Sequence, residues 1–229
     1  MKKYSVLLGA LLTSALIAQA PQAQAFGIGS LTAAIPGVGG GASAGTVSAG
    51  DIDLFIKTAQ DADTMIATAS RHIFRAVETK DEIAKQEAAL ATANSIADPA
   101  EKQAALNKIR DDEATAVQKA LASNDIQEKL KGMNKDQFKS FGNAAFTYML
   151  GVLKDKQLAD GSQALVSSVA ANPTLLPRLA ALKDVATSVS AQAVSTAKIG
   201  EGLVKLASAG KIAALPTSAS EKAKPVDSL

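Results

Sequence analysis

Ile52, Phe55, Ala59, Ala62, Ile66, Ala69, Ile73 and Ala76 follow one another at alternating spacings of three and four residues. On an α-helix these positions share one face, whereas on a strand they would be divided between two. A stripe of this length has to be buried, and packing against other helices is the direct way to bury it. Similar stripes recur further along. Leu106, Ile109, Ala116, Val117, Ala120 and Leu121 form one, and Phe138, Phe141, Ala145, Tyr148, Met149 and Val152 another. The last is Leu179, Leu182, Ala186, Val189, Ala193, Thr196, Ile199, Leu203 and Leu206. Strand signals are missing: there are no β-branched runs, and no Asn-Gly or Asp-Gly turn joins alternating segments. The fold class read from this pattern is all-α, an elongated up-down antiparallel helical bundle with a flexible Gly/Ala-rich N-terminal segment.

Capping residues place the helix boundaries. Asp98-Pro99-Ala100-Glu101 puts Asp at the N-cap, Pro at the first helical position and Glu at the third. Asn124-Asp125-Ile126-Gln127, Asn134-Lys135-Asp136-Gln137 and Asp160-Gly161-Ser162-Gln163 are read as further starts, and Gly132 and Gly210 as helix-ending glycines. The expected helices are Asp51–Ser95, Pro99–Ser123, a short one near Gln127, Lys135–Leu158, Ser162–Ala171, and a long one beginning between Asn172 and Pro177. The links are short, so neighbours should be antiparallel. Alanine supplies 47 of the 229 residues and aromatics only 3%, so the core is made of small side chains and its helices can approach closely. With no cysteine, no disulfide supports the fold.

The N-terminus carries Lys2 and Lys3, an apolar run from Val6 to Ala18, and a small-x-small site at Ala23-Gln24-Ala25. This is the three-part form of a secretory signal, expected to be cut after Ala25 and to direct the protein to the periplasm or the exterior of a bacterium. Removing residues 1–25 takes away Lys2 and Lys3, and leaves 204 residues with 22 basic and 22 acidic side chains. A surface of zero net charge gives no electrostatic basis for binding nucleic acid.

Residues 26–50 hold no charge and eight glycines. Phe26, Ile28, Leu31 and Ile35 are apolar at roughly helical spacing and are the candidate partner-contact residues; Pro36 ends that pattern. The glycine-rich remainder through Gly50 reads as a tether. The candidate partners are another exported protein or a second copy of the chain. The first expectation for the segment is that it is unstructured or docked back on its own bundle; membrane contact is a further fate, without help from Lys or Arg. Four segments follow: a signal over 1–25, a tether over 26–50, one bundle domain over 51–214, and a disordered tail over 215–229, rich in Pro, Ser and Lys.

Catalytic constellations are thin. His72 is the single histidine, so two-histidine zinc sites do not arise, and its place beside the first stripe reads as a boundary residue flanked by Arg71 and Arg75. The acids Glu78, Asp81, Glu82 and Glu87, and then Asp111, Asp112 and Glu113, alternate with Lys80, Lys85, Lys108 and Arg110, and read as solvated helix faces. The Asp-x-Asp pairs at 51/53 and 61/63 lack the other ligands of a calcium loop. The glycines of Pro36–Gly45 lack the Lys-Ser/Thr of a phosphate loop. No catalytic residue, metal or cofactor is expected, and the chain is read as a non-enzymatic protein.

Two weakly polar segments, Ser140–Leu153 and Gly161–Pro177, flank Lys154, Asp155, Lys156 and Asp160. They read as a helical hairpin carrying Phe141, Phe146, Met149, Leu150, Leu165 and Val169, either buried in the core or able to enter a membrane. Each arm is shorter than the roughly 20 residues a span requires. The functional expectation is an exported bundle acting by protein–protein contact in an envelope or extracellular assembly. The alternative is a membrane-active, pore-forming-like protein using the 140–177 hairpin. The Val77–Glu113 segment, folding back at Asn94–Asp98, is expected to project as a polar tip.

Overall fold

The computed structural model describes residues 47–226. The segment read as a signal, and Phe26, Ile28, Leu31 and Ile35, lie outside them. The described chain begins with a capping box. The Ser48 hydroxyl accepts from the Asp51 amide at 3.3 Å, and the Asp51 carboxylate accepts from the Ser48 amide at 2.8 Å. This starts α1, Ala49–Val77. The tether read through Gly50 is therefore too long: Val47 is buried core, Ser48 is the cap, and residues 49–50 are helical. The α1 stripe is buried from Ile52 to Ile73 as its spacing predicts, while Ala76 is half-buried.

The single helix expected over Asp51–Ser95 is two. Glu78 and Thr79 are extended, and α2 runs Lys80–Ser95. Thr79 causes the break: its hydroxyl accepts from the Glu82 amide at 3.3 Å and so begins a new helix. The Lys129 ammonium donates to the Val77 carbonyl and satisfies one of the acceptors left at the end of α1. Asp98 then caps α3, Pro99–Ala122, accepting from the amides of Ala100 and Glu101 with Pro99 at the first position. The short α4, Ile126–Gly132, starts without a side-chain cap, and Gly132 belongs to its last turn.

Next comes α5, Lys135–Ala170, begun by the expected Asn134/Gln137 capping box. It does not stop at Leu158. The charged turn and the hairpin predicted over 140–177 are absent: one helix of 36 residues carries Phe141, Phe146, Met149, Leu150, Leu165 and Val169. Lys156 and Asp160 pair at 2.7 Å as i,i+4 neighbours on its surface, which supports the helix where a turn was expected. Gly161 and Ser162 are buried within it and start no new helix. After Ala171 the chain reverses through an Asn172-centred turn and the 3-10 segment Leu176–Arg178 into α6, Leu179–Ser208. Gly210, at φ 66°, closes α6; its amide bonds the Ala207 carbonyl and that of Lys211 the Leu206 carbonyl.

These elements make an all-α bundle of six helices, with no strand among the described residues. Helix α5 lies between α1 and α6 and antiparallel to both. One apolar cluster joins Ile66, Ile73 and Phe74 of α1 to Phe141, Ala145 and Tyr148 of α5 and to Ile199 and Leu203 of α6, with Val117 and Leu121 of α3. The other joins Ile52, Phe55 and Ala59 to Leu158, Leu165 and Val169 and to Leu182 and Val189.

The described part of the tail is packed, contrary to the disorder expected of its composition. The Lys224 and Pro225 carbonyls accept from Thr147 at 3.0 Å and Asn143 at 2.9 Å. The Lys224 ammonium lies 3.9 Å from the Phe146 ring centroid. Leu215 and Val226 rest on the first cluster. A polar, proline-containing segment thus becomes ordered because α5 offers donors to its backbone.

Candidate functional site

Between the two apolar clusters the bundle has a polar waist. Here α1 and α5 approach so closely that a Cβ placed on Gly151 would stand 2.7 Å from Ile66 Cγ1 and 3.2 Å from the Ala62 carbonyl oxygen. One turn further along α5 is Asp155, with no exposed surface and with both carboxyl oxygens lacking a hydrogen-bond partner. A buried carboxylate without partners is strongly disfavoured, so the group takes up a proton instead. Burial pushes the Asp155 carboxyl up to about 7, and the neighbouring Asp63 pushes in the same direction. Asp63 itself accepts from Gln192 Nε2 of α6 at 3.1 Å and pairs with Arg110 of α3 at 3.3 Å. Four helices therefore meet here. Tyr148, buried beside the waist, donates to the Thr196 carbonyl at 3.4 Å, and burial together with Asp155 raises its phenol above the ordinary value.

A second polar cluster binds α2 and α3 to α1. Glu113, read from sequence as part of a solvated face, is 3% exposed. It accepts from Gln86 Nε2 and lies 3.6 Å from Arg71 Nε. Burial raises its pKa, opposed by Arg71, Arg110 and Arg75. Glu87 pairs with Arg75 at 3.1 Å. Of the remaining acids of the two clusters, Glu78 is half-buried and the others are exposed: Glu82 pairs with Lys85 and Asp112 with Lys108, each at 2.7 Å. His72 is half-buried on α1.

The structure gathers Phe141, Phe146, Leu150, Leu165 and Val169 as buried residues of α5, with Met149 half-buried against Gly200. Phe141 belongs to the first cluster, and Leu165 and Val169 to the second. An open groove of about 400 Å³ between α5 and α6 is lined by Ser162, Gln163, Val166, Lys183, Ala186, Thr187 and Ser190, none of them an acid or a histidine. Among the described residues no group of three or more His, Cys, Asp or Glu is placed to hold a metal ion.

Asp155 and Glu113 are the groups that reading by residue type missed. The signal was register: Tyr148, Gly151, Asp155 and Leu158 keep the three-four spacing, and Ile109, Glu113, Val117 and Ala120 on α3 follow at four, four and three. Compared with protein-family models, curated proteins and solved structures, the chain matches none.

Proposed function

We propose that this is an exported, non-enzymatic helical bundle that acts through protein–protein contact, with another exported protein or a second copy as its partner. The observation that carries the reading is the hairpin of α2 and the first half of α3. Of the 16 residues of α2 only Gln86 and Ala93 are buried, and no side chain is buried from Asn94 to Asp112. Such an arm adds little apolar burial to the fold, so its length is better accounted for by contact with something outside the chain. Its exposed face is alanine-rich, with Ala84, Ala88 and Ala91, and a partner helix can approach such a face closely. The uncharged segment containing Phe26, Ile28, Leu31 and Ile35 is the second contact. The proposal of export, to the periplasm or outside the cell, rests on the N-terminal signal pattern. No described helix is long and apolar enough to cross a membrane.

The test is crosslinking and pull-down from the protein's own compartment, with light scattering for self-association. It compares the full chain, a chain lacking residues 26–45, and an Ala88→Arg/Ala91→Arg variant. Residues 47–50 are retained because they cap α1. Loss of a partner or of the oligomer in either variant, at unchanged helicity, is the expected result. A full chain that is monomeric and crosslinks to nothing would count against the proposal, as would variants that bind as the parent does.

A further inference from the structure

We propose that Asp155 is a pH-sensitive element of the bundle: uncharged, it lets α1 and α5 close at Gly151, and ionised, it loosens the waist between the two apolar clusters. The inference stands first on geometry. The carboxyl sits on the inner face of α5, fully buried and without a partner for either oxygen. It lies one turn from the tightest described glycine approach between α1 and α5.

The surrounding charges do not relieve it. From α1, Asp63 acts on it with the same sign. From α3, Arg110 reaches the waist but is engaged by Asp63. From α6, Gln192 also gives its donor to Asp63. On α5 itself, Lys154 is half-buried, with burial lowering its pKa and Asp61 opposing, and Tyr148 donates to a backbone carbonyl. Arg110 and Gln192 are thus bonded to Asp63 and not to Asp155, and the charge of Asp63 adds repulsion. A water molecule or a change in packing is the remaining route to solvation, and both require α1 and α5 to separate.

The direction with pH follows from where the proton is held. Burial raises the Asp155 carboxyl from 3.8 to about 7, so the folded chain holds a proton that the unfolded chain releases. Stability contributed by the neutral acid is full below the lower value and falls as pH rises between the two. Beyond the upper value the penalty is complete and the curve levels. The sensitive range therefore reaches neutral pH, where compartments differ.

The experiment follows urea unfolding of the full chain from pH 5 to pH 8.5, together with hydrogen exchange of amides 148–158 corrected for intrinsic rates. For the parent, the urea midpoint should fall by about 1 M, and exchange at the waist should accelerate. Asp155→Asn should lose most of this fall, any remainder belonging to groups such as Glu113, whose pKa burial also raises, with a midpoint at high pH no lower than that of the parent. A flat parent curve, or a parent-like slope in Asp155→Asn, would overturn the proposal. Carboxyl-carbon NMR of the parent provides a second reading independent of the variant's folding. An Asp155 titration midpoint near 7 supports the device, and one near 4 rejects it.

Discussion

Phe141→Ala is expected to lower the unfolding free energy by about 3–5 kcal/mol, the range for deleting a large buried aromatic side chain. The ring has no exposed surface and belongs to the cluster where α1, α3, α5 and α6 all contribute. The same cluster contains alanines, among them Ala69, Ala144 and Ala145, each fully buried. Alanine has no side-chain torsion by which it can swing into a void, so the cavity stays open and the cost should lie toward the upper end. Phe141→Leu retains most of the volume and should cost clearly less. Urea unfolding of both variants checks this. A loss under about 1 kcal/mol for the alanine variant would mean that the ring is not enclosed within that cluster.

Gly151→Val is expected to cost about 1–3 kcal/mol through overpacking, although valine is a better helix former than glycine. The new Cβ would meet Ile66 Cγ1 at 2.7 Å and the Ala62 carbonyl oxygen at 3.2 Å. The isoleucine can turn aside, but the carbonyl belongs to the α1 backbone and cannot move without shifting the helix. The contact is specific, so it should appear as coupling. Combined with Ile66→Ala, Gly151→Val should cost less than the sum of the two single changes by more than about 0.5 kcal/mol. Strict additivity in the double-mutant cycle would mean that α1 and α5 do not meet at this point.

The same crossing explains how far the sequence could be read. The α6 stripe was legible because only Thr196 interrupts its apolar residues, and Leu182, Val189, Ile199 and Leu203 are all buried as their spacing predicts. The α5 stripe was misread because it passes through glycine, aspartate and serine. Taken by residue type, Lys154 to Ser162 looks like a charged turn. Taken by register, Tyr148, Gly151, Asp155, Leu158, Ser162, Leu165 and Val169 form one continuous face, and every one of them is buried. Glu113 was hidden in the same way between Ile109 and Val117. The α1–α2 break did have a local signature, since Thr79 and Glu82 stand in capping-box spacing, but the stripe's partial continuation through Ile83 and Leu90 concealed it.

The tail was beyond local reading. Its order depends on Asn143 and Thr147 donating to backbone carbonyls some eighty residues away in the chain. Composition reports that a segment lacks its own apolar surface; it does not report what a neighbouring helix supplies. The burial of Asp155 also had two parts. Its face was written in the spacing, but only the assembled bundle reveals its lack of a partner, with Arg110 and Gln192 bonded to Asp63.

The continuity of α5 underlies both the waist and the buried acid, and one distance tests it. The chain has no cysteine, so a pair introduced at the exposed positions Lys139 and Ser167 would carry the only spin labels. A single helix separates these positions by about 42 Å at the ordinary rise per residue. A hairpin turning near Lys156 would bring them within about 20 Å, given the usual spacing of packed helices. Pulsed dipolar spectroscopy on the full chain should give one distribution centred near the longer value. A distribution centred near the shorter one would contradict the account.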